Sequence, residues 1–238
     1  MPITWVATVA TAHPVDNGNS GIHHVMVRAA AALVMIPPVL AFVYYGYPVF
    51  HIFVALMVAL MAWEWGRMVS GQPKWLVLGV FYIGLPVLAL LWLRGETEIG
   101  RNTIFWLFAL VWAADTGAYI TGRLIGGPKL APAISPNKTW AGLAGCVGSA
   151  ALVGVVVAYL TKSGDYLLLA AISAVIGLVS QGGDLVESAI KRHFGVKDSS
   201  QLIPGHGGIL DRVDALLAAI LVAALIKFVS GGNIIRWP

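Results

Sequence analysis

The sequence predicts an all-α fold, a polytopic membrane helical bundle with about seven transmembrane helices, within a range of about seven to nine. Of the 238 residues, 58% are apolar and 11% are charged, whereas a soluble domain carries about 25% charged residues. Apolar runs of about 20 residues, long enough to cross the hydrocarbon core of a bilayer, recur along the chain. These observations exclude an ordinary soluble domain and predict one bundle of spanning helices.

Seven apolar segments define the predicted elements in chain order. They cover residues of about 27–45, 49–66, 75–93, 103–121, 139–160, 166–187 and 213–230. Pro37, Pro38 and Pro86 fall inside spans and are expected to kink them. The fifth span contains the run AGLAGCVGSAALVG, which includes Cys146. Small residues of this kind let helix backbones approach closely, so we expect tight packing around the fifth span.

The basic residues predict the orientation of the bundle. Ten of the 15 Lys and Arg residues fall on the N-terminal flank or in the second, fourth and sixth loops. Because cytoplasmic loops are enriched in Lys and Arg, we expect these segments to face the cytoplasm, with the bundle in the inner or cell membrane. Residues 1–24 are predicted to form a polar N-terminal tail, and residues 25–238 a single integral membrane domain.

Acidic side chains fall at or near membrane depth in three of the spans. The fourth span contains Asp115, the sixth contains Asp184, and the seventh opens with Asp211 and Asp214. An ionisable group in a span costs about a few kcal/mol and usually faces a site or cavity. Since the fourth and sixth spans end where the seventh begins, on the predicted cytoplasmic side, we expect these acids to converge. The alternative is an internal salt bridge that fixes packing, for instance between Asp184 and Arg212.

Helical spacing places several of these groups on shared faces. Asp184, Ser188 and Lys191 lie at i, i+4 and i+7, which aligns them along one stripe of the sixth helix. Asp211 and Asp214 lie at i and i+3, so they also share a face. The spacing therefore predicts two polar faces that meet at one end of the bundle.

Basic residues accumulate in the loops beside these acids. The fourth loop ends in SPNKT, which places Lys138 just before the fifth span, and the sixth loop supplies Lys191, Arg192, Lys197 and His206. Several carboxylates with few thiols suit a hard ion such as Mg²⁺, and clustered bases suit phosphate oxygens. The pattern predicts Mg²⁺-dependent phosphoryl or nucleotidyl transfer in a catalytic half of about 103–230. A transporter would place its acids near the midplane and need fewer bases.

Residues 188–214, SAIKRHFGVKDSSQLIPGHGGILDRVD, resemble the C-terminal signature of the phosphatidate cytidylyltransferase (CDP-diacylglycerol synthase) family. Segments 112–126, 135–142 and 183–188 also resemble motifs of that family. One departure is Ala141, where many members have a glutamate. The resemblance implies that CTP and phosphatidic acid react to give CDP-diacylglycerol and pyrophosphate, with Mg²⁺ as the cofactor and Mn²⁺ as its substitute.

The resemblance also carries expectations for individual residues. Asp184 and Asp211 are expected to bind metal, and Asp214 and Asp115 are candidates for a second metal or its surroundings. The predicted catalytic set consists of Asp184, Asp211, Lys138, Lys191 and Arg192. The predicted substrate-binding residues are Ser135, Ser188, Lys197, Asp198, His206, Gly207, Gly208 and Arg212.

Membrane lipid, CTP and phosphatidic acid are the partners that the resemblance implies, together with a homodimeric assembly and no nucleic acid. Two related activities would use a similar site: a CTP-dependent lipid or polyprenol kinase, and a cytidylyltransferase for another lipid phosphate. A transporter of an anionic solute is the alternative from a different functional class.

Overall fold

Six helices of the computed structural model are long and apolar enough to cross a membrane. The structure describes residues 36–162, 164–203 and 207–232. Within these residues the helices are α1 (Ile36–Tyr45), α2 (Val49–Met68), α3 (Pro73–Arg94), α4 (Glu98–Leu124), α5 (Trp140–Leu160), α6 (Tyr166–His193) and α7 (Leu210–Ser230). The predicted all-α membrane fold is confirmed. The predicted tail 1–24 and the first part of the first span lie outside the described residues.

Two helices, α4 and α6, extend furthest beyond the predicted spans. α4 starts at Glu98 because the Thr97 side chain accepts a hydrogen bond from the Gly100 amide and caps the helix. α6 continues to His193, past the predicted end at about 187. The apolar pattern stops where polar residues begin, although the helix itself continues. As a result, Ser188 and Lys191 stand on a rigid helix.

Small residues bring α4, α5, α6 and α7 close together. A Cβ atom on Gly117 of α4 would strike Ser149 of α5, and one on Gly145 of α5 would strike Thr121. The thiol of Cys146 is buried and donates to the Gly177 carbonyl of α6 at 3.2 Å. This confirms the predicted tight packing around the fifth span, which fixes the spacing of the helices that bear the acids.

The fourth loop folds into a short antiparallel hairpin that the sequence did not predict. Strand β1 (Lys129–Ala131) pairs with β2 (Ser135–Thr139), with Lys129 opposite Thr139. Thr139 ends β2 and caps α5, because its hydroxyl oxygen accepts the Gly142 amide at 3.0 Å. The strands are too short to show an alternating apolar pattern, so the sequence carried little signal for them. The hairpin holds Lys138 directly before α5.

Candidate active site

The predicted acids converge at one end of the bundle. Asp115 lies in the C-terminal half of α4, Asp184 in the C-terminal half of α6, and Asp214 in the first turns of α7. Consecutive helices run in opposite directions, so these positions fall at the same end. The three carboxylates lie within electrostatic range of one another, and Lys138 and Arg212 lie within range of Asp115. The sequence-based expectation of convergence is therefore confirmed.

Asp184 is held by a residue from the hairpin and one from its own helix. Lys138 Nζ lies 2.7 Å from Asp184 Oδ2, and Ser188 Oγ donates to Asp184 Oδ1 at 3.2 Å. The side chains of Lys138 and Asp184 are 18% and 30% exposed, although the Lys138 Nζ atom itself is buried. Asp184 does form an ion pair, as the packing alternative required, but its partner is Lys138 rather than Arg212.

Lys191 is buried between two carboxylates. Its Nζ lies 3.0 Å from Glu187 Oε2 and 2.5 Å from Asp211 Oδ1, and 9% of the side chain is exposed. Glu187 is fully buried. Because two carboxyl groups already contact the ammonium, Lys191 links α6 to α7 and has less freedom than Lys138 to meet a phosphate.

Asp211 uses both of its oxygens on the protein itself. Oδ1 accepts from Lys191, and Oδ2 accepts from the Ser199 amide at 2.9 Å, the Ser199 hydroxyl at 3.0 Å and the Gly208 amide at 2.8 Å. Four donors on one carboxylate tie the start of α7 to the preceding loop. In this arrangement Asp211 anchors the loop that the sequence signature encodes.

Asp115 and Asp214 have fewer protein partners. Asp115 is exposed on α4 and accepts from Nε2 of the buried Gln181 at 3.1 Å. Asp214 is 9% exposed, and its Oδ1 accepts the Ala215 amide at 2.7 Å. Neither carboxylate forms an ion pair within the described residues. Asp214 also shares a side-chain hydrogen bond with Glu187, so Asp115 is the less engaged of the two.

One residue of the predicted catalytic set, Arg192, and several of the predicted substrate-binding residues lie on or near the surface. Arg192, Lys197, Asp198 and Arg212 are exposed, and Ser135 is half-buried at the start of β2. The Arg192 guanidinium donates to the Val196 carbonyl at 2.9 Å.

The glycines of the signature shape the loop before α7. Gly207 has φ +81°, a conformation that favours glycine. A Cβ on Gly208 would press on Ser199 and on Glu64. His206 lies outside the described residues.

Glu64 is a site residue that the sequence reasoning missed. It lies in α2, it is fully buried, and it contacts the start of α7, where Asp211 lies. The signal was present, since Glu64 is a carboxylate inside an otherwise apolar span. The same rule that selected Asp115 selects Glu64.

A ready-made metal cage is absent from the described part of the chain, where no three His, Cys, Asp or Glu side chains surround one point. The donor set nevertheless suits Mg²⁺, which binds through one or two carboxylates, several waters and substrate phosphates. Asp184, Asp115 and Asp214 supply oxygen donors of that kind with no thiol among them. The residues therefore fit a magnesium ion that arrives with a phosphate ligand.

An apolar groove of about 500 Å³ runs beside these acids. It is formed by α3, α6 and α7, and Asp214 is the acidic residue in its wall. The phenol oxygen of Tyr82 is buried in the same wall without a hydrogen-bond partner among the described residues. The other lining residues are Pro86, Leu178, Val179, Gly182, Gly183, Val186, Leu217, Ala218 and Leu221. Gly182 and Gly183 directly precede Asp184, so the groove adjoins the charged site.

Residues 73–229 match the model of the cytidylyltransferase family. The phosphatidate cytidylyltransferase of Brucella suis biovar 1 (strain 1330) is 48% identical over 157 residues, which cover 66% of this chain and 56% of that relative. The chain therefore spans little more than half the length of the Brucella relatives.

The phosphatidate cytidylyltransferases of Rickettsia conorii and Rickettsia felis are each 35% identical, over 86% and 87% of this chain and 91% and 92% of their own lengths. These matches confirm the resemblance seen in the signature. The chain belongs to the cytidylyltransferase family.

Proposed function

We propose that the protein is a membrane-embedded phosphatidate cytidylyltransferase, which converts CTP and phosphatidic acid into CDP-diacylglycerol and pyrophosphate. The observation that carries this proposal is the position of the Lys138–Asp184 pair beside an apolar groove. The pair supplies charge for phosphates, and the groove supplies an apolar surface for acyl chains. A nucleotide from water and a lipid from the bilayer could meet at such a place.

In the proposed reaction, an oxygen of the lipid phosphate attacks the α-phosphorus of CTP. The new P–O bond forms as the bond to the β-phosphate oxygen breaks, and pyrophosphate leaves with that electron pair. The lipid phosphate is already anionic at neutral pH, so no general base is required. The task of the protein is to position the two phosphates and neutralise their charge.

Lys138 is the base best placed to contact phosphate. Its side chain is partly exposed and its ammonium has one carboxylate partner, whereas the side chain of Lys191 is buried and its ammonium has two. The exposed Arg192, Lys197 and Arg212 would extend the positive surface to the remaining phosphates. Ser188, which donates to Asp184, would hold that carboxylate in place.

Mg²⁺, with Mn²⁺ as a substitute, is the cofactor that the family implies. Asp184 would hold it, with Asp115 or Asp214 as a second oxygen donor. The bound ion would supply charge neutralisation for the phosphates of CTP. Asp211, proposed from the sequence as a ligand, would have to exchange a protein donor for the metal, because both of its oxygens accept hydrogen bonds.

The groove formed by α3, α6 and α7 would take the acyl chains of the lipid. Its lining is almost wholly apolar, and its acidic member Asp214 lies on the α7 face next to α6. The buried Tyr82 hydroxyl could bond to a polar atom of the lipid, such as an ester oxygen. This supports a lipid phosphate rather than a soluble phosphate as the acceptor.

The cytoplasmic orientation of the site rests on the Lys and Arg distribution and on the need for cytosolic CTP. The inner or cell membrane is the proposed location. A homodimer, which the resemblance implies, stays a prediction. Cross-linking in native membranes would test the homodimer.

The experiment that tests the activity follows the radiolabel from CTP in purified protein with phosphatidic acid and Mg²⁺. Label at the α-phosphate is expected in a CDP-lipid, and label at the γ-phosphate is expected in pyrophosphate. Transfer of the γ-phosphate to a lipid alcohol would instead identify a kinase. Solute flux into proteoliposomes without CTP turnover would identify a transporter.

A further inference from the structure

Glu64 is a buried carboxylate whose hydrogen-bond partners all come from one distant segment. Oε1 accepts from the Ser200 hydroxyl at 2.6 Å and the Ile209 amide at 2.9 Å. Oε2 accepts from the Leu210 amide at 2.8 Å and the Ser199 hydroxyl at 3.2 Å. No part of the side chain is exposed. A carboxylate is costly to bury unless it is fully hydrogen-bonded, and here four donors meet that requirement.

Two of these donors are backbone amides at the start of α7, where a helix offers no carbonyl acceptor of its own. The side chains of Ile209 and Leu210 provide no cap for this helix, and the Glu64 carboxylate from α2 takes that role. A negative charge at a helix N-terminus is also stabilised by the helix dipole. Glu64 therefore fixes where α7 begins, from a helix that is remote in sequence.

Ser199 connects Glu64 to Asp211. The Ser199 hydroxyl lies 3.2 Å from Glu64 Oε2 and 3.0 Å from Asp211 Oδ2, and its single proton can serve one of them at a time. Asp211 in turn contacts Lys191, which contacts Glu187. One hydrogen-bonded chain thus runs from α2 through the loop to α6.

The close approach of Glu64 also explains Gly208. A Cβ at this position would lie 2.6 Å from Glu64 Oε1 and would also strike Ser199. The glycine, predicted from the sequence to bind substrate, provides space for the Glu64 carboxylate. Glu64 itself lies outside residues 73–229, the part that matches the family model.

We propose that Glu64 is a positioning residue, which holds Ser199, Ser200 and the start of α7 so that Asp211, Asp214 and Lys191 stay aligned with Asp184. The expected effect of Glu64 on turnover rests on the proposed function. Its expected effect on the order of the segment before α7 does not depend on any activity. In this role Glu64 touches neither substrate and acts through Ser199 and the amides of Ile209 and Leu210.

The test compares Glu64→Gln with Glu98→Gln in the full-length protein. Glutamine has nearly the same shape, but its NH₂ group cannot accept, so two of the four donors lose their partner. Glu98 is exposed at the start of α4 and contacts Arg101, away from the site, which makes it a matched control. Hydrogen exchange in the absence of substrate and steady-state kinetics with CTP, phosphatidic acid and Mg²⁺ are measured on both variants.

Glu64→Gln is expected to speed exchange of the Ile209 and Leu210 amides by about tenfold, because each loses a charged acceptor. Per folded enzyme, kcat is expected to fall by about tenfold or more, with the KM for phosphatidic acid within about twofold of wild type. Glu98→Gln is expected to change neither quantity.

Unchanged amide exchange, or unchanged kcat per folded enzyme, would overturn the positioning role. If Glu64→Gln does not fold, Ser200→Ala replaces it, since that change removes one donor and leaves the charge capped by three. Faster exchange and lower kcat are again expected, and wild-type values for both would overturn the role. If the wild-type protein makes no CDP-lipid, the proposed function fails, while the exchange data still decide whether Glu64 holds the loop.

Discussion

Lys138 Nζ lies 2.7 Å from Asp184 Oδ2, which joins the hairpin before α5 to the C-terminal half of α6. The two residues are 46 positions apart in the chain, and the hairpin and the packed glycines bring them together. The pair offers one anion and one cation at a partly exposed position. In the proposed function Asp184 would be the residue that holds a metal ion, and Lys138 would supply positive charge for a phosphate.

Replacing Lys138 tests its proposed role toward phosphate. We expect Lys138→Met to lower turnover by about 100-fold, the loss typical of a charged donor that stabilises a transition state. Lys129→Met is the matched control, because Lys129 is an exposed lysine on the neighbouring strand of the same hairpin. Steady-state CDP-lipid formation measures both variants. Equal losses of turnover in the two variants would show that only the overall positive charge of the hairpin matters.

Asp211 is expected to matter for stability as well as for turnover. Asp211→Asn removes the charge that faces Lys191 and leaves an NH₂ group among donors, which should cost about 3 kcal/mol of unfolding free energy. Asp198→Asn changes an exposed acid in the loop before α7 and should leave the unfolding temperature unchanged. Thermal unfolding in detergent checks this prediction. A stable but inactive Asp211→Asn protein would favour metal binding over anchoring.

The close packing of α4 against α5 predicts that substitutions at two glycines of α5 differ in their effect on stability. A side chain on Gly145 would strike Thr121 and the Gly117 carbonyl, whereas one on Gly148 would meet nothing within 4 Å. We expect Gly145→Leu to destabilise the fold by about 3 kcal/mol through overpacking, and Gly148→Leu to be tolerated. The folded yield and unfolding temperature of each variant decide this. Similar behaviour of both variants would contradict the packing described for these helices.

The groove between α3, α6 and α7 can be narrowed without touching the charged residues. We expect Val179→Trp to raise the KM for a long-chain phosphatidic acid about fivefold, because the indole takes space that an acyl chain would use. The KM for CTP should stay within about twofold. Val175→Trp is the control, since Val175 lies one turn earlier on α6 and does not line the groove. An unchanged KM for lipid in Val179→Trp would place the acyl chains elsewhere.

The sequence predicted the spans and the meeting of the acids for clear physical reasons. An apolar run of about 20 residues has few other uses, and alternating helix directions bring Asp115, Asp184 and Asp214 to one end. Both arguments need only local pattern and chain order. Neither depends on the exact packing of side chains.

The individual partners could not be predicted in the same way. The Lys138–Asp184 pair depends on a hairpin whose strands are 3 and 5 residues long and carry no periodic signal. Lys191 lies on the same stripe of α6 as Asp184, but its partner is Asp211. That pairing depends on how α7 packs against α6. The contact of Glu64 with α7 joins residues about 145 positions apart, which only the folded structure reveals.

The most direct test of the central claim is CDP-lipid formation by Asp184→Asn in the presence of CTP, phosphatidic acid and Mg²⁺. The variant removes the charge that holds Lys138 and that would hold the metal, while the side-chain shape is retained. We expect a folded, membrane-inserted protein whose turnover is lower than wild type by about 100-fold or more, with Glu96→Gln, an exposed acid outside the site, unaffected. Turnover of Asp184→Asn close to that of wild type would contradict the account.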